Sequence, residues 1–166
     1  MSTALKETTS SHGGNEHRSR KRASLQPVTS PPRTDRSLGL NLRDRTALIE
    51  RIRKGLPVKT LEGLARALAL PEREVARHVG ISVRTLARRK KEGRFHPDES
   101  NRIAQLAMLF DDVVELFEGN VETAAHWFHT PKKALGGAAP IEYADTEPGV
   151  REIQDLIGRL EHGIFS

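Results

Sequence analysis

The chain has 166 residues, room for one domain or two small ones, and no Cys, which excludes a disulfide framework, a thiol nucleophile and a zinc–thiolate site. No apolar run approaches the ~20 residues that cross a membrane, and the Ser/Thr-rich start has no apolar leader, so a cytoplasmic protein without a membrane partner is expected. The formal net charge of +5 is unevenly spread: residues 1–40 carry seven Lys/Arg against three Asp/Glu (+4), residues 41–96 fifteen against six (+9), and residues 97–166 five against thirteen (−8).

Residues 1–40 are rich in Ser, Thr, Pro, Arg and Gly, with Leu5, Leu25 and Val28 nearly the only sizeable aliphatics before Leu38. Such a segment buries too little apolar area to offset its ordering entropy, and a disordered basic tail is expected. Its knot Arg18, Arg20, Lys21 and Arg22 either touches phosphates nonspecifically or solubilises the chain.

Helical signals begin near Leu42. Leu48, Ile49 and Ile52 give a short apolar face that Gly55-Leu56-Pro57 ends. Thr60 is placed to cap a second helix with face Leu61, Leu64 and Leu68; Pro71 opens a third, with Glu72 and Glu74 at its positive end. A fourth runs from Val83 to about Glu92 and stops at Gly93. The longest helix opens at Asp98 or Ser100 and runs to about Glu118, with Ile103, Leu106, Ala107, Phe110, Val113, Val114 and Phe117 in one stripe. A short helix spans Val121 to Phe128. A Pro/Gly-rich loop leads to a helical turn at 141–144 and to a last helix capped near Thr146, with apolar face Val150, Ile153, Leu156, Ile157 and Leu160. No strand and no repeat is visible. The expected fold is all-α, with a basic tail (1–40), a helix-turn-helix DNA-binding domain (41–96) and a helical dimerisation and partner-binding domain (97–166).

The helix-turn-helix lies in EREVARHVGISVRTLARRKK, residues 72–91. Ala76 is small enough for the crossing, Gly80 suits a turn with positive φ, Ile81 tucks beneath it, Ser82 caps the next helix and Leu86 faces back onto the first. The second helix then offers Ser82, Val83, Arg84, Thr85 and Arg88 to a DNA groove. Arg84 and Arg88 are one turn apart and shaped to bridge two acceptors on guanine, while Lys90, Lys91 and Arg94 suit phosphates. One short module contacts few base pairs, so a homodimer on a two-fold operator is expected. Arg89 departs from the common helix-turn-helix pattern, because that position packs into the domain and is usually apolar.

No catalytic constellation emerges. His126 and His129 sit three apart but have Trp127 and Phe128 as neighbours and no further ligands nearby, so neither a metal nor another cofactor is expected. Gly136-Gly137 follows no strand and precedes no Lys-Ser/Thr, unlike a phosphate-binding loop. Asp111, Asp112, Glu115 and Glu118 read as a solvated helix face.

The run Arg84-Thr85-Leu86-Ala87-Arg88-Arg89-Lys90-Lys91-Glu92-Gly93-Arg94 resembles the signature of the Xre/MbcA/ParS antitoxins, in which the second Arg of the pair is a family trait. Trp127-Phe128-His129-Thr130-Pro131, Ala134-Leu135-Gly136-Gly137, Pro140, Asp145-Thr146 and Gly158-Arg159-Leu160-Glu161-His162-Gly163 resemble that family's toxin-binding domain. The resemblance covers roughly Leu56 to Ser166. It implies a type II antitoxin that dimerises, represses its own operon from operator DNA, and occludes the active site of a RES-domain toxin, an enzyme that consumes NAD. It carries toxin binding onto Arg159, Glu161, His162, Gly163, Ile164, Phe165 and Ser166. There a helix stops at Gly163 and releases an apolar plug with a terminal carboxylate. Trp127, Leu135 and Gly136 shape the loop before the last helix or touch the toxin. Two other functions compete: a stand-alone dimeric transcriptional regulator without a toxin, and a protein adaptor that has lost DNA binding.

Overall fold

The computed structural model describes residues 44–163. The basic tail 1–40 and the plug residues Ile164, Phe165 and Ser166 lie outside the described residues. Eight α-helices follow in order among the described residues: α1 Arg45–Lys54, α2 Val58–Ala67, α3 Glu72–His78, α4 Val83–Glu92, α5 Pro97–Leu116, α6 Val121–His129, α7 Pro140–Tyr143 and α8 Glu147–Glu161. A 3₁₀ turn, Lys133–Leu135, precedes α7. An antiparallel bridge between Pro57 and Arg94 is the only extended pairing among the described residues. None of their helices is long and apolar enough to cross a membrane.

Capping side chains fix several starts. The Asp44 carboxylate accepts from the Ala47 amide at 3.0 Å, Asn120 from Thr123 at 3.0 Å, and Thr146 from Gly149 at 3.2 Å. Arg51, Arg53 and Lys54 sit at the C-terminal end of α1, where the helix dipole favours cations. Two starts differ from expectation. Helix α2 begins at Val58 behind Pro57, whose fixed φ already sets the entry, so Thr60 is a buried residue inside the helix and not its cap. Helix α5 begins at Pro97, and the Glu99 carboxylate turns back to accept from the His96 amide at 2.8 Å.

Helix α5 is the spine, with α1, α6 and α8 packed against it. The stripe Ile103, Leu106, Ala107, Phe110, Val113 and Val114 is fully buried, as its three-and-four spacing requires. Phe110 meets Phe128 of α6 edge to face, ring centroids 5.7 Å apart, a geometry aromatic quadrupoles favour. Helix α8 buries Val150, Ile153, Leu156 and Ile157, while Leu160 is half-buried. Gly149 is required at the α7–α8 crossing: a Cβ there would fall 2.0 Å from the Tyr143 carbonyl oxygen.

The packing corrects two surface expectations. Ile49 does not join the core but stands 48% exposed, as does Met108 at 39%. The carboxylates of α5 are not one solvated face. Helices α1 and α8 both pack on α5, and the groove they leave takes in Asp111, which is buried, and Asp112, which is half-buried.

Candidate functional site

Helices α3 and α4 form the expected crossing. The Ile81 amide donates to the Ala76 carbonyl at 2.7 Å, closing the turn, and Gly80 takes φ +67°. A Cβ-bearing residue would be strained at that angle. Val75, Ala76, Val79, Ile81 and Leu86 pack beneath the turn. Ser82 caps α4 by accepting from the Thr85 amide at 3.1 Å, and its hydroxyl donates to the Thr85 hydroxyl at 3.0 Å. Thr85 is thereby half-buried at the cap, while Ser82, Val83, Arg84, Arg88 and Lys91 are exposed. Arg84 and Arg88 stand one turn apart on that surface, Arg88 lying 3.8 Å from Glu92.

The structure divides the remaining cations. Lys90 reaches back to α3, its ammonium 2.5 Å from a Glu72 oxygen. Arg94 donates to the Gly55 carbonyl at 2.9 Å and ties the end of the module to the α1–α2 connector. Arg89 is buried, 3% exposed, and its guanidinium forks onto the equally buried Glu99: Nε donates to Oε2 at 2.7 Å and Nη2 to Oε1 at 3.0 Å. Its third nitrogen, Nη1, donates to Glu92 at 2.5 Å. The departure at Arg89 thus has a physical account. The position does pack into the domain, and it carries a charge because α5 supplies the matching carboxylate. Burial raises the Glu99 carboxyl, but the Arg89 hydrogen bonds and the His96 amide outweigh it and hold the group below the ordinary carboxylate range. Arg102, a second brace from α5, donates to the Val79 carbonyl at 2.7 Å, just before the turn glycine.

Arg73 and Arg77 of α3 escape the sequence reading. Both are exposed and line a groove with Val83 and Ser82 at the start of α4. Their four-residue spacing was the available signal, since it places two cations on one face.

The expected toxin-binding residues fall in two places. Leu135 is 2% exposed and seated in the core, so its side chain shapes the loop and presents no surface. Gly136 beside it is exposed in a left-handed conformation, and the Tyr143 hydroxyl donates to the Leu135 carbonyl at 3.1 Å. Trp127 is half-buried against Phe117 and carries the Lys132 ammonium 4.8 Å above its ring. Arg159, Glu161, His162 and Gly163 are all exposed at the other end of α8, ~18 Å along the helix from Gly149. His129 is structural: its Nε2 lies 2.6 Å from the Leu68 carbonyl, linking α6 to the end of α2. Among the described residues no group of His and carboxylates could hold a metal ion.

The closed turn, the capped basic helix and its braces define a helix-turn-helix DNA-binding module joined through α5 to a second helical layer. Two family models match the chain: the antitoxin Xre-like helix-turn-helix domain over residues 47–108, and the antitoxin Xre/MbcA/ParS C-terminal toxin-binding domain over residues 112–163. The two matches meet within α5. The chain is 40% identical over 141 residues to Antitoxin Xre of Yersinia enterocolitica, covering 84% of this chain and 95% of that one. It is 37% identical over 116 residues to Antitoxin Xre of Photorhabdus laumondii, covering 69% and 78%. It is 25% identical over 126 residues to the Prs ADP-ribosylating antitoxin of Sphingobium sp., covering 69% and 78%. The chain belongs to the Xre antitoxin family. Its two halves accordingly serve DNA binding and toxin binding.

Proposed function

We propose that this antitoxin neutralises a RES-domain, NAD-consuming toxin by laying its C-terminal segment over the toxin's active site, and that as a homodimer it represses its own operon through α4. The end of α8 carries the first half of this reading. Arg159, Glu161, His162 and Gly163 are all solvent-exposed at the edge of the toxin-binding match, and the sequence continues from them into Ile164-Phe165-Ser166. An apolar tip behind exposed polar residues suits a cleft built for a dinucleotide. The ADP-ribosylation in the name of the Sphingobium relative is compatible with NAD chemistry in the toxin.

Exposed Ser82, Val83, Arg84 and Arg88 support the second half. Dimerisation is supported by a groove of about 830 Å³ between α1, α5 and α8, whose lining includes exposed Ile49 and Met108 together with Arg45 and the carboxylates Asp112 and Glu115. Apolar residues flanked by both signs of charge suit a second copy turned by two-fold symmetry.

The test is co-purification of the tagged full-length chain from its own host, with the bound protein identified by mass. A stoichiometric RES-like partner is the expected result. Operator DNA recovered with no protein partner would overturn the toxin half and favour a stand-alone dimeric regulator.

A further inference from the structure

Val83 is the first residue of α4 and is 69% exposed, the most exposed of the large apolar side chains among the described residues. A β-branched apolar residue there gains nothing from packing and is a weak helix former, so folding alone does not account for it. It borders a groove of about 360 Å³ formed with Arg73, Glu74, Arg77, Ile81 and Ser82. Arg73, Arg77 and the neighbouring Arg84 are exposed and take part in no ion pair among the described residues. The groove's one carboxylate, Glu74, is half-buried.

The geometry points to a specific reading role: Val83 reads the C5-methyl of a thymine in the operator, while Arg73 and Arg77 hold phosphates at the edge of the same groove. Three observations meet here. The N-terminal residues of a recognition helix contact base edges in the major groove. The apolar feature a base pair presents in that groove is the thymine methyl, and apolar side chains are its partners. Two outward arginines one turn apart on α3 supply the charge that fixes register without reading sequence. An exposed valine bordering one groove with two exposed arginines therefore matches a methyl set beside phosphates. The inference rests on the operator-binding reading above and deepens it.

The experiment uses the full-length chain and a duplex selected from a randomised library. Thymines in the selected site are replaced one at a time by deoxyuridine, which removes the methyl and keeps every hydrogen-bonding group. At one position per half-site the wild-type chain should lose about fourfold in affinity, the worth of one buried methyl. Val83→Ala, which acts in both subunits of the homodimer, should lose about the square of that factor, ~16-fold, on the thymine duplex and nothing more on a duplex carrying deoxyuridine in both half-sites. Arg73→Ala and Arg77→Ala should weaken binding evenly across sequences, each reducing the salt slope by about one per subunit, about two for the homodimer. Selective binding indifferent to every methyl, or an equal loss by Val83→Ala on both duplexes, would overturn this assignment while leaving operator binding intact. Absence of any sequence-selective binding would overturn both.

Discussion

Asp112 sits half-buried in the groove between α1, α5 and α8, beside Asp111 and Glu115. Burial first, then repulsion from those two carboxylates, lifts its pKa from the ordinary 3.8 to about 6, against a hydrogen bond from Gln154 that lowers it. The folded chain therefore holds this proton more tightly than the unfolded chain. The stabilisation is fully present below the ordinary pKa and is lost as pH rises through about 6. Asp112→Asn should raise stability by about 1–2 kcal/mol at pH 7, a figure discounted for the group's contact with solvent, and by little at pH 4. Urea unfolding at the two pH values checks this, and an equal effect at both would contradict it. The sequence alone reads Asp112 as solvated, since helical spacing locates the apolar stripe of α5 but not which neighbours close over its flanks.

At the scale of elements, the relation between α4 and α5 rests on the buried Arg89–Glu99 pair. The two charges sit ten residues apart, either side of the connector that Gly93 begins. Forked geometry fixes direction as well as distance, so the pair sets the angle at which the recognition helix leaves the domain. Arg89→Met leaves the Glu99 carboxylate buried without its countercharge. It should lower the melting temperature by several degrees and weaken operator binding. Adding Glu99→Gln should recover part of the loss, because the buried charge is then gone. In the wild type this contribution is present above the ordinary carboxylate pKa of 4.5 and is lost as pH falls through the lower folded-state value, so the Arg89→Met deficit should shrink in acid. Thermal unfolding from pH 3 to 7 measures both effects, and a double variant no better than the single would contradict the account.

The turn itself is legible in the sequence, because Ala76, Gly80, Ile81, Ser82 and Leu86 each meet a separate steric or capping demand and all five take the expected places. Arg89 is legible as an anomaly but its resolution is not. Glu99 draws no reading from the sequence, and only the packing of α5 against the module shows that one carboxylate serves the His96 cap and the Arg89 fork together.

Across the whole molecule, the charge division in the sequence corresponds to a division of labour. The cations of α3 and α4 gather at the helix-turn-helix, while α5 and α8 carry most of the acid into the toxin-binding half. The toxin-binding surface is less legible than the DNA-binding one. Leu135 has the local sequence of a contact loop, yet its side chain fills the core, and Trp127 is spent partly on Phe117 and Lys132. Of the residues that the resemblance assigns to toxin binding, those at the end of α8 are exposed, as is Gly136. The most direct measurement of the central claim is co-expression of the partner toxin with a chain lacking Gly163–Ser166, scored by cell growth, with melting temperature and operator affinity measured on the same variant. The account predicts loss of neutralisation with fold and DNA binding retained. Full protection by the shortened chain would contradict it.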